Sequence, residues 1–165
     1  MSGPVFLLDA NVFIEASRRY YAFDLAPKFW VSLVEHAGNG QVCSIDRIHQ
    51  ELKRGKDELA AWASGHFIHA FASTDQPDVI QCFGEIMSWV QTQPQFLDAA
   101  KADFAGGADG WLIAYGKAKG CVVVTHEVAA PDARSKIKIP NVCQAFSVPF
   151  VNTFEMLQRL GVRFG

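Results

Sequence analysis

Short uncharged runs of bulky residues alternate along this chain with stretches of helical periodicity. Residues 4–8 form the first run, and Asp9 ends it. An apolar run of this kind, followed by a helical pattern, predicts a strand that is buried on both faces. Similar runs at residues 41–45 and 121–125 predict further strands, and a last strand is expected at residues 147–151. Alternating strands and helices favour parallel pairing through crossover connections.

Apolar side chains three and four residues apart predict the helices between these strands. Asp46 and Asn152 are suitable N-caps, and Gly65 is expected to interrupt a helix. The glycine-rich residues 106–110 predict a flexible turn, and Gly120 is expected to end the helix that follows it. The predicted helices are residues 12–20, 27–37, 47–53, 57–63, 77–90, 96–103, 111–118, 140–146 and 153–160.

Length and composition describe one globular domain over residues 1–165. Half of the residues are hydrophobic, and the formal net charge is −2. This charge excludes a nucleic-acid binder that works by bulk positive charge. It leaves open a local basic rim, or a site whose positive charge comes from a metal ion.

The spacing of the cysteines and the sequence of the N-terminus indicate the expected cellular compartment. None of the four cysteines forms a C-x-x-C pair, and no secretory signal is recognised. We therefore expect reduced thiols and a cytoplasmic protein. No uncharged apolar stretch approaches 18 residues, so we expect no membrane span.

Four acidic residues occupy equivalent places in this pattern. Asp9 follows the first strand, and Glu51 lies in the helix after the second. Asp109 opens a helix, and Glu127 follows the next strand. A helix that runs antiparallel to its strand returns both of these acids to one end of the fold. For Asp9 alone, capping of the following helix is an equally good interpretation.

Carboxylates gathered at one sheet edge repel one another by about 1 to 4 kcal/mol per pair at 4 Å. Without a counter-charge they raise one another's pKa values or push the site apart. A hard divalent cation resolves this repulsion, and carboxylates with retained water are the ligands that Mg²⁺ or Mn²⁺ prefers. Such a site activates water for cleavage of a phosphodiester.

Four segments in this order resemble a PIN domain. They are Leu7-Leu8-Asp9-Ala10-Asn11, Ser44-Ile45-Asp46 with Glu51-Leu52, Ala108-Asp109-Gly110-Trp111, and Val124-Thr125-His126-Glu127. The sequence is most similar to a bacterial PIN-like subfamily of poorly defined function, and the resemblance spans essentially the whole chain. It implies an α/β fold, a three-layer α/β/α sandwich with a mainly parallel central sheet. It also implies a metal-dependent endoribonuclease that cleaves single-stranded RNA, of the kind found as toxins in toxin–antitoxin pairs.

The resemblance assigns roles to individual residues. Asp9, Glu51 and Asp109 match the three principal catalytic and metal-binding acids of the family. Glu127 matches a fourth catalytic and metal-binding position that is more often Asp, and it is expected to assist the other three acids. The resemblance also implies that Asn11 and Thr125 support the acids through hydrogen bonds. Gly110 stands where close relatives often have Pro, the usual first-turn residue, which predicts a looser helix start beside Asp109.

The mechanism implied is attack of an activated water on the phosphate in line, which leaves a 3′-hydroxyl and a 5′-phosphate. One or two Mg²⁺ or Mn²⁺ ions are the expected cofactors. RNA is the expected substrate, an antitoxin protein is the expected partner, and a homodimer is considered as well. The predicted RNA-binding residues are Arg18, Lys53, Arg54, Arg134 and Lys136, with Lys138 in the same basic run.

Two alternatives remain open at this point. A haloacid-dehalogenase-like phosphatase also begins with a strand that ends in Asp, but it requires a second Asp where Asn11 stands. A catalytically silent PIN-fold interaction module is the other alternative. The intact acids Asp9, Glu51 and Asp109 argue against such a module.

Overall fold

A parallel sheet lies at the centre of the computed structural model, which describes residues 3–163. Within that range the sheet contains five strands in the order β3-β2-β1-β4-β5, and every neighbouring pair is parallel. Leu7 of β1 is in register with Cys43 of β2 and Val123 of β4. The strands are β1 (Phe6–Leu8), β2 (Val42–Ile45), β3 (Phe71–Ala72), β4 (Val122–Val124) and β5 (Phe150–Val151).

Helices cover the two faces of this sheet and complete a three-layer α/β/α sandwich. A π-helix (Ala16–Tyr20) continues α1, and a 3₁₀ turn (Ile68–Ala70) precedes β3. The α-helices are α1 (Ala10–Glu15), α2 (Pro27–Gly38), α3 (Asp46–Lys53), α4 (Glu58–His66), α5 (Pro77–Gln91), α6 (Asp98–Gly106), α7 (Asp109–Lys119), α8 (Ile139–Ala145) and α9 (Thr153–Leu160). Among the described residues no helix is both long and apolar enough to cross a membrane.

The middle strands form the centre of the hydrophobic core. All three side chains of β1 are at most 1% exposed, as expected for a strand covered on both faces. Gly116 of α7 lies directly over the sheet, because a Cβ atom there would stand 3.2 Å from Val123 Cγ2 and 3.5 Å from Leu7 Cδ2. Helix α7 therefore packs closely on β1 and β4, and the predicted acids follow both of these strands.

Several predicted boundaries are wrong. The edge strand Phe71–Ala72 was not predicted, and Gly65 lies inside α4 rather than interrupting a helix. Helix α6 continues to Gly106, so two residues separate it from α7 instead of a flexible five-residue turn. The last strand contains only Phe150–Val151. The short strands form because neighbouring strands pair with them, and their own sequences carry little signal.

Asp46 is also placed differently from the prediction. Helix α3 begins at Asp46, and Ile45 occupies the N-cap position. The Asp46 carboxylate accepts hydrogen bonds from the Thr74 hydroxyl at 2.9 Å and from the Thr74 backbone N–H at 3.2 Å. Asp46 therefore ties the start of α3 to the segment that follows β3.

Gly110 is buried in the first turn of α7 and permits close packing there. A Cβ atom at this position would lie 2.8 Å from Met87 Cε, 3.2 Å from Phe83 Cε1 and 3.3 Å from Phe104 Cε2. Side chains of α5 and α6 thus occupy the space that a larger residue would need. The expected loosening of this helix start is not seen, because α7 begins at Asp109 and packs tightly there.

Gly110→Val is expected to lower the free energy of unfolding by about 1–3 kcal/mol, because the added methyl groups overpack this contact. Gly84→Val is the matched control, since Gly84 is exposed on α5 and no described heavy atom lies within 4 Å of a Cβ built there. Chemical denaturation of both variants tests the packing. Equal free energies of unfolding would contradict it.

Candidate active site

Asp9 lies at the carboxyl end of β1, in the middle of the sheet. Its backbone N–H donates to the Val124 carbonyl of β4 at 3.0 Å, and its Oδ2 accepts from the Thr125 hydroxyl at 3.0 Å. The residue is 2% exposed. Although Asp9 occupies the N-cap position of α1, its side chain makes no capping hydrogen bond within the described chain. Its carboxylate is oriented towards the residues that follow β4.

Burial of Asp9 has a strong electrostatic consequence. Loss of hydration, followed by the negative charges of Asp109 and Glu127, raises the pKa of Asp9 to about 8. The hydroxyl of Thr125 opposes this shift but does not cancel it. The protein therefore holds a carboxyl group that is only partly ionised at neutral pH in the absence of a cation.

Asp109 is the first residue of α7 and shares this environment. Burial and the charge of Glu127 raise its pKa to about 6, while Lys136 opposes the increase. The charge of Glu51 also contributes to this increase, as the smallest of the named causes. The acids that were predicted from separate elements thus act on one another through space.

Glu127 is held by groups on both of its carboxylate oxygens. Oε2 accepts from Lys136 Nζ at 2.9 Å, and Oε1 accepts from the Ile139 backbone N–H at 2.8 Å. Its own backbone N–H donates to the Thr125 hydroxyl at 3.1 Å. Because that hydroxyl also donates to Asp9, Thr125 connects Glu127 directly to Asp9. The resemblance assigned a supporting role to Thr125, and that role stays a prediction.

Lys136 contributes a positive charge to the acid group. The hydrogen bond to Glu127 raises the pKa of Lys136, burial opposes this change, and the charges of Glu127, Asp109 and Asp9 raise the pKa further. Its side chain remains 54% exposed. Lys136 was predicted as part of an outer RNA-binding rim, and the structure places its ammonium group among the acids.

Glu51 lies at the margin of the site. It is exposed on α3, and its influence on the pKa of Asp109 links it to the other acids. The other three acids interact more strongly: Asp109 and Glu127 raise the pKa of Asp9, and Glu127 raises the pKa of Asp109 more than Glu51 does. Within residues 3–163 no group of three or more His, Cys, Asp or Glu side chains is arranged to hold a metal ion. The oxygen donors of the three acids nevertheless have the chemistry that Mg²⁺ and Mn²⁺ prefer.

The remaining predicted residues are distributed around this centre. Asn11 is exposed and lines an open hollow of about 540 Å³ together with Glu127. Arg18 is exposed on the π-helix, and Arg134 is exposed in the segment before α8. Lys53 and Arg54 lie at the far end of α3, about 10 Å along the helix from its start at the sheet edge. RNA binding by these cations stays a prediction.

Other residues that line the hollow were not predicted from the sequence. They include Arg19, Tyr20 and His126, and Lys138 of the basic run lies there as well. His126 stands between Thr125 and Glu127, so its place at the sheet edge was recognisable. The position of Tyr20 depends on the π-helix, which hydrophobic periodicity does not reveal.

Comparison with known proteins identifies the family. The model of a family described as a domain of unknown function, DUF4411, matches residues 6–164. The chain belongs to the DUF4411 family. None of the curated proteins compared with this DUF4411 chain matches it.

Two solved structures resemble the DUF4411 chain over most of its length. VapBC2 from Rickettsia felis, crystallised with a DNA fragment from its promoter, is 13% identical with a TM-score of 0.55, and the match covers 90% of this chain and 98% of that chain. FitAcB from Neisseria gonorrhoeae is 20% identical with a TM-score of 0.56, and the match covers 91% and 99%. At these identities the likeness concerns the fold, and the expected PIN-like fold is confirmed.

Proposed function

We propose that this DUF4411 protein is a metal-dependent endoribonuclease that cleaves single-stranded RNA. The observation that carries the proposal is the acid group formed by Asp9, Asp109 and Glu127. These three residues come from distant parts of the chain and act on one another at the carboxyl edge of the sheet. Open α/β folds bind their ligands at this edge.

The elevated pKa values of Asp9 and Asp109 favour binding of a cation between these acids. Loss of hydration and nearby negative charges raise the pKa values of Asp9 and Asp109, so both acids are costly to ionise, and a divalent cation at the same place relieves this cost. Asp9 and Asp109 would hold Mg²⁺ or Mn²⁺, with Glu51 at the margin. When bound, the ion supplies Lewis-acid activation of water for phosphodiester hydrolysis.

The other residues have roles of their own in this proposal. Glu127 is already engaged by Lys136 and by the Ile139 amide, so it acts through its charge and by holding Lys136 at the site. The Lys136 ammonium is placed to attract a phosphate oxygen beside the acids. Thr125 orients the Asp9 carboxylate through its hydroxyl.

Cleavage of a labelled single-stranded RNA tests this proposal. We expect products with a 5′-phosphate and a 3′-hydroxyl in Mg²⁺ or Mn²⁺, and none after chelation. A double-stranded RNA of the same sequence serves as the substrate control. Stable binding of RNA without cleavage in any divalent ion would instead favour the catalytically silent module.

We further propose that the protein is the toxin of a toxin–antitoxin pair, on the basis of the resemblance of its sequence to PIN toxins. An antitoxin protein is then the partner that holds it inactive.

Induced expression of the protein alone is expected to arrest bacterial growth, because uncontrolled cleavage of RNA stops translation. Asp9→Asn is expected to relieve the arrest. Asp24→Asn is the control, since Asp24 is exposed and does not contribute to the pKa shifts of Asp9 or Asp109. Colony counts in several hosts measure the effect. Harmless wild-type protein in all of them would contradict the toxin role and leave the nuclease proposal to the cleavage assay.

A further inference from the structure

The two exposed aromatic side chains of the described chain lie against each other. Within residues 3–163 every other Phe, Tyr and Trp is buried or half-buried, whereas Tyr20 is 52% exposed and Phe154 is 44% exposed. Their ring centroids are 5.6 Å apart in an edge-to-face arrangement. The ring of His126 lies 6.0 Å from Tyr20 and 6.3 Å from Phe154. We call Tyr20, His126 and Phe154 the aromatic trio.

Three separate elements hold the aromatic trio in place. Tyr20 ends the π-helix, which the hydrogen bond from the Tyr21 N–H to the Ala16 carbonyl closes at 2.8 Å. Phe154 lies in the first turn of α9, which the Asn152 side chain caps. His126 follows β4, and its Nε2 lies 2.9 Å from the Thr153 hydroxyl. Single-turn π-helical segments are frequent at functional sites.

The aromatic trio adjoins the acid group through consecutive residues after β4. Thr125 hydrogen-bonds Asp9, His126 belongs to the trio, and Glu127 belongs to the acids. Both His126 and Glu127 line two open hollows, with volumes of about 540 and 410 Å³. Tyr20 lines the first hollow and Phe154 lines the second. The rings of Tyr20 and Phe154 therefore border two spaces that Glu127 of the acid group also lines.

Three cations line the larger hollow together with Tyr20, namely Arg19, Lys136 and Lys138. Arg19 is paired with Glu15 at 3.2 Å and Lys136 with Glu127 at 2.9 Å. In this protein of net charge −2, positive side chains thus stand beside exposed rings and beside the acids. Proteins that bind single-stranded nucleic acids combine such features, because cations contact phosphates while aromatic faces stack on bases.

We propose that Tyr20, His126 and Phe154 form a stacking subsite for one base of a single-stranded RNA, next to the phosphate presented to the acids; this inference rests on the proposed nuclease function. Every base has a flat apolar face, so stacking of this kind is tolerant of sequence. The subsite orients the strand and leaves the choice of base to other contacts. Burial lowers the pKa of His126, and the charge of Glu15 opposes this change.

RNA binding in an uncleaved complex tests the subsite, with the full chain carrying Asp9→Asn so that the strand stays intact. The ligands are a labelled single-stranded RNA and a series in which one nucleotide at a time is abasic. We expect one abasic position to weaken binding about tenfold. Tyr20→Leu and Phe154→Leu are expected to weaken binding of the intact RNA by the same factor and to remove the difference between intact and abasic strands. Tyr20→Phe keeps the ring and should bind like the parent protein.

A second measurement locates the contact directly. RNA with 5-iodouridine at the sensitive position is irradiated with the parent protein, and mass spectrometry is expected to place the cross-link on Tyr20, His126 or Phe154. Because Tyr20 and Phe154 are half exposed, their replacement leaves the core intact, and thermal melting of each variant checks this. Cross-links confined to other segments would overturn the subsite.

The outcomes separate this inference from the proposed function. Metal-dependent cleavage with equal binding of intact and abasic RNA by all variants would overturn the subsite and leave the nuclease standing. Loss of binding that is the same for intact and abasic strands would also overturn it. If the Leu variants bind RNA normally but are no longer neutralised by an antitoxin, the trio is a protein-binding surface. Failure of the Asp9→Asn and wild-type proteins to bind any RNA would overturn both proposals.

Discussion

Asp9→Asn is expected to reduce RNA cleavage by about two orders of magnitude or more while the fold stays intact. The substitution keeps the size of the side chain and its ability to accept the hydrogen bond from Thr125, but it removes the charge at the centre of the acid group. Loss of a residue that hydrogen-bonds a metal ligand typically costs 10–100-fold in activity or in metal affinity. Loss of a ligand itself should cost at least about as much. Initial rates at saturating Mg²⁺ measure the effect.

The matched control is Asp24→Asn, which changes the net charge equally at an exposed position outside the acid group. It should cleave RNA at the wild-type rate. Retention of activity by Asp9→Asn would remove Asp9 from the catalytic machinery, even if the protein remains a ribonuclease.

The second expected result is a loss of stability as the pH rises in the absence of metal. In the folded protein the pKa of Asp9 is raised from 3.8 to about 8, and that of Asp109 to about 6. An unfolded chain therefore binds fewer protons than the native chain between these values, so the free energy of unfolding falls with increasing pH. The contribution of Asp9 and Asp109 to the free energy of unfolding is fully present below pH 3.8, declines above that pH and is lost above about pH 8. Relative to Asp9→Asn, wild type should lose a few kcal/mol between pH 5 and pH 8, which lowers its Tm by about 5–10 °C.

Addition of Mg²⁺ or Mn²⁺ at pH 8 should reverse this loss. A ligand at about 100 times its Kd adds about 2.7 kcal/mol to the free energy of unfolding. The gain should be much smaller for Asp9→Asn, because one of the charges that attract the ion is gone. Melting of both proteins at pH 5 and pH 8, with and without the ion, measures all of these differences. An identical response of the two proteins to pH and to metal would show that the acids neither repel one another nor bind the ion.

Much of this fold was predictable because its central elements carry strong local signals. Residues 6–8 and 122–124 are bulky, uncharged and followed by polar residues, so their place in the middle of the sheet follows from their pattern. Helix α5 has a regular apolar stripe and was predicted to within one residue. The strand Phe71–Ala72 has no such signal, because two residues become a strand only through their pairing with Ser44 and Ile45.

The acids of the candidate site could be predicted from the sequence. The contacts of the residues around them were harder to predict. Asp9 follows β1 directly, Glu127 comes shortly after β4, and Asp109 begins a helix that packs beside them, so topology alone brings them to one edge. The contact of Lys136 with Glu127 crosses an irregular segment, and no periodic pattern reports such a contact. The position of Tyr20 depends on a change from α-helical to π-helical hydrogen bonding at Ala16, which leaves little trace in the sequence.

The hydrogen bond between Thr125 and Asp9 also has a consequence for folding during synthesis on the ribosome. These residues are 116 positions apart in the chain, and β4 must lie beside β1 before they can meet. A nascent chain exposes Asp9 early, but it lacks both Asp109 and Glu127 until most of the domain has been synthesised. Contacts of such long sequence separation are slow to form, because the entropy of closing a long loop opposes them. Incomplete chains therefore lack the assembled acid group, and the site comes into existence only when the last third of the domain has emerged and docked.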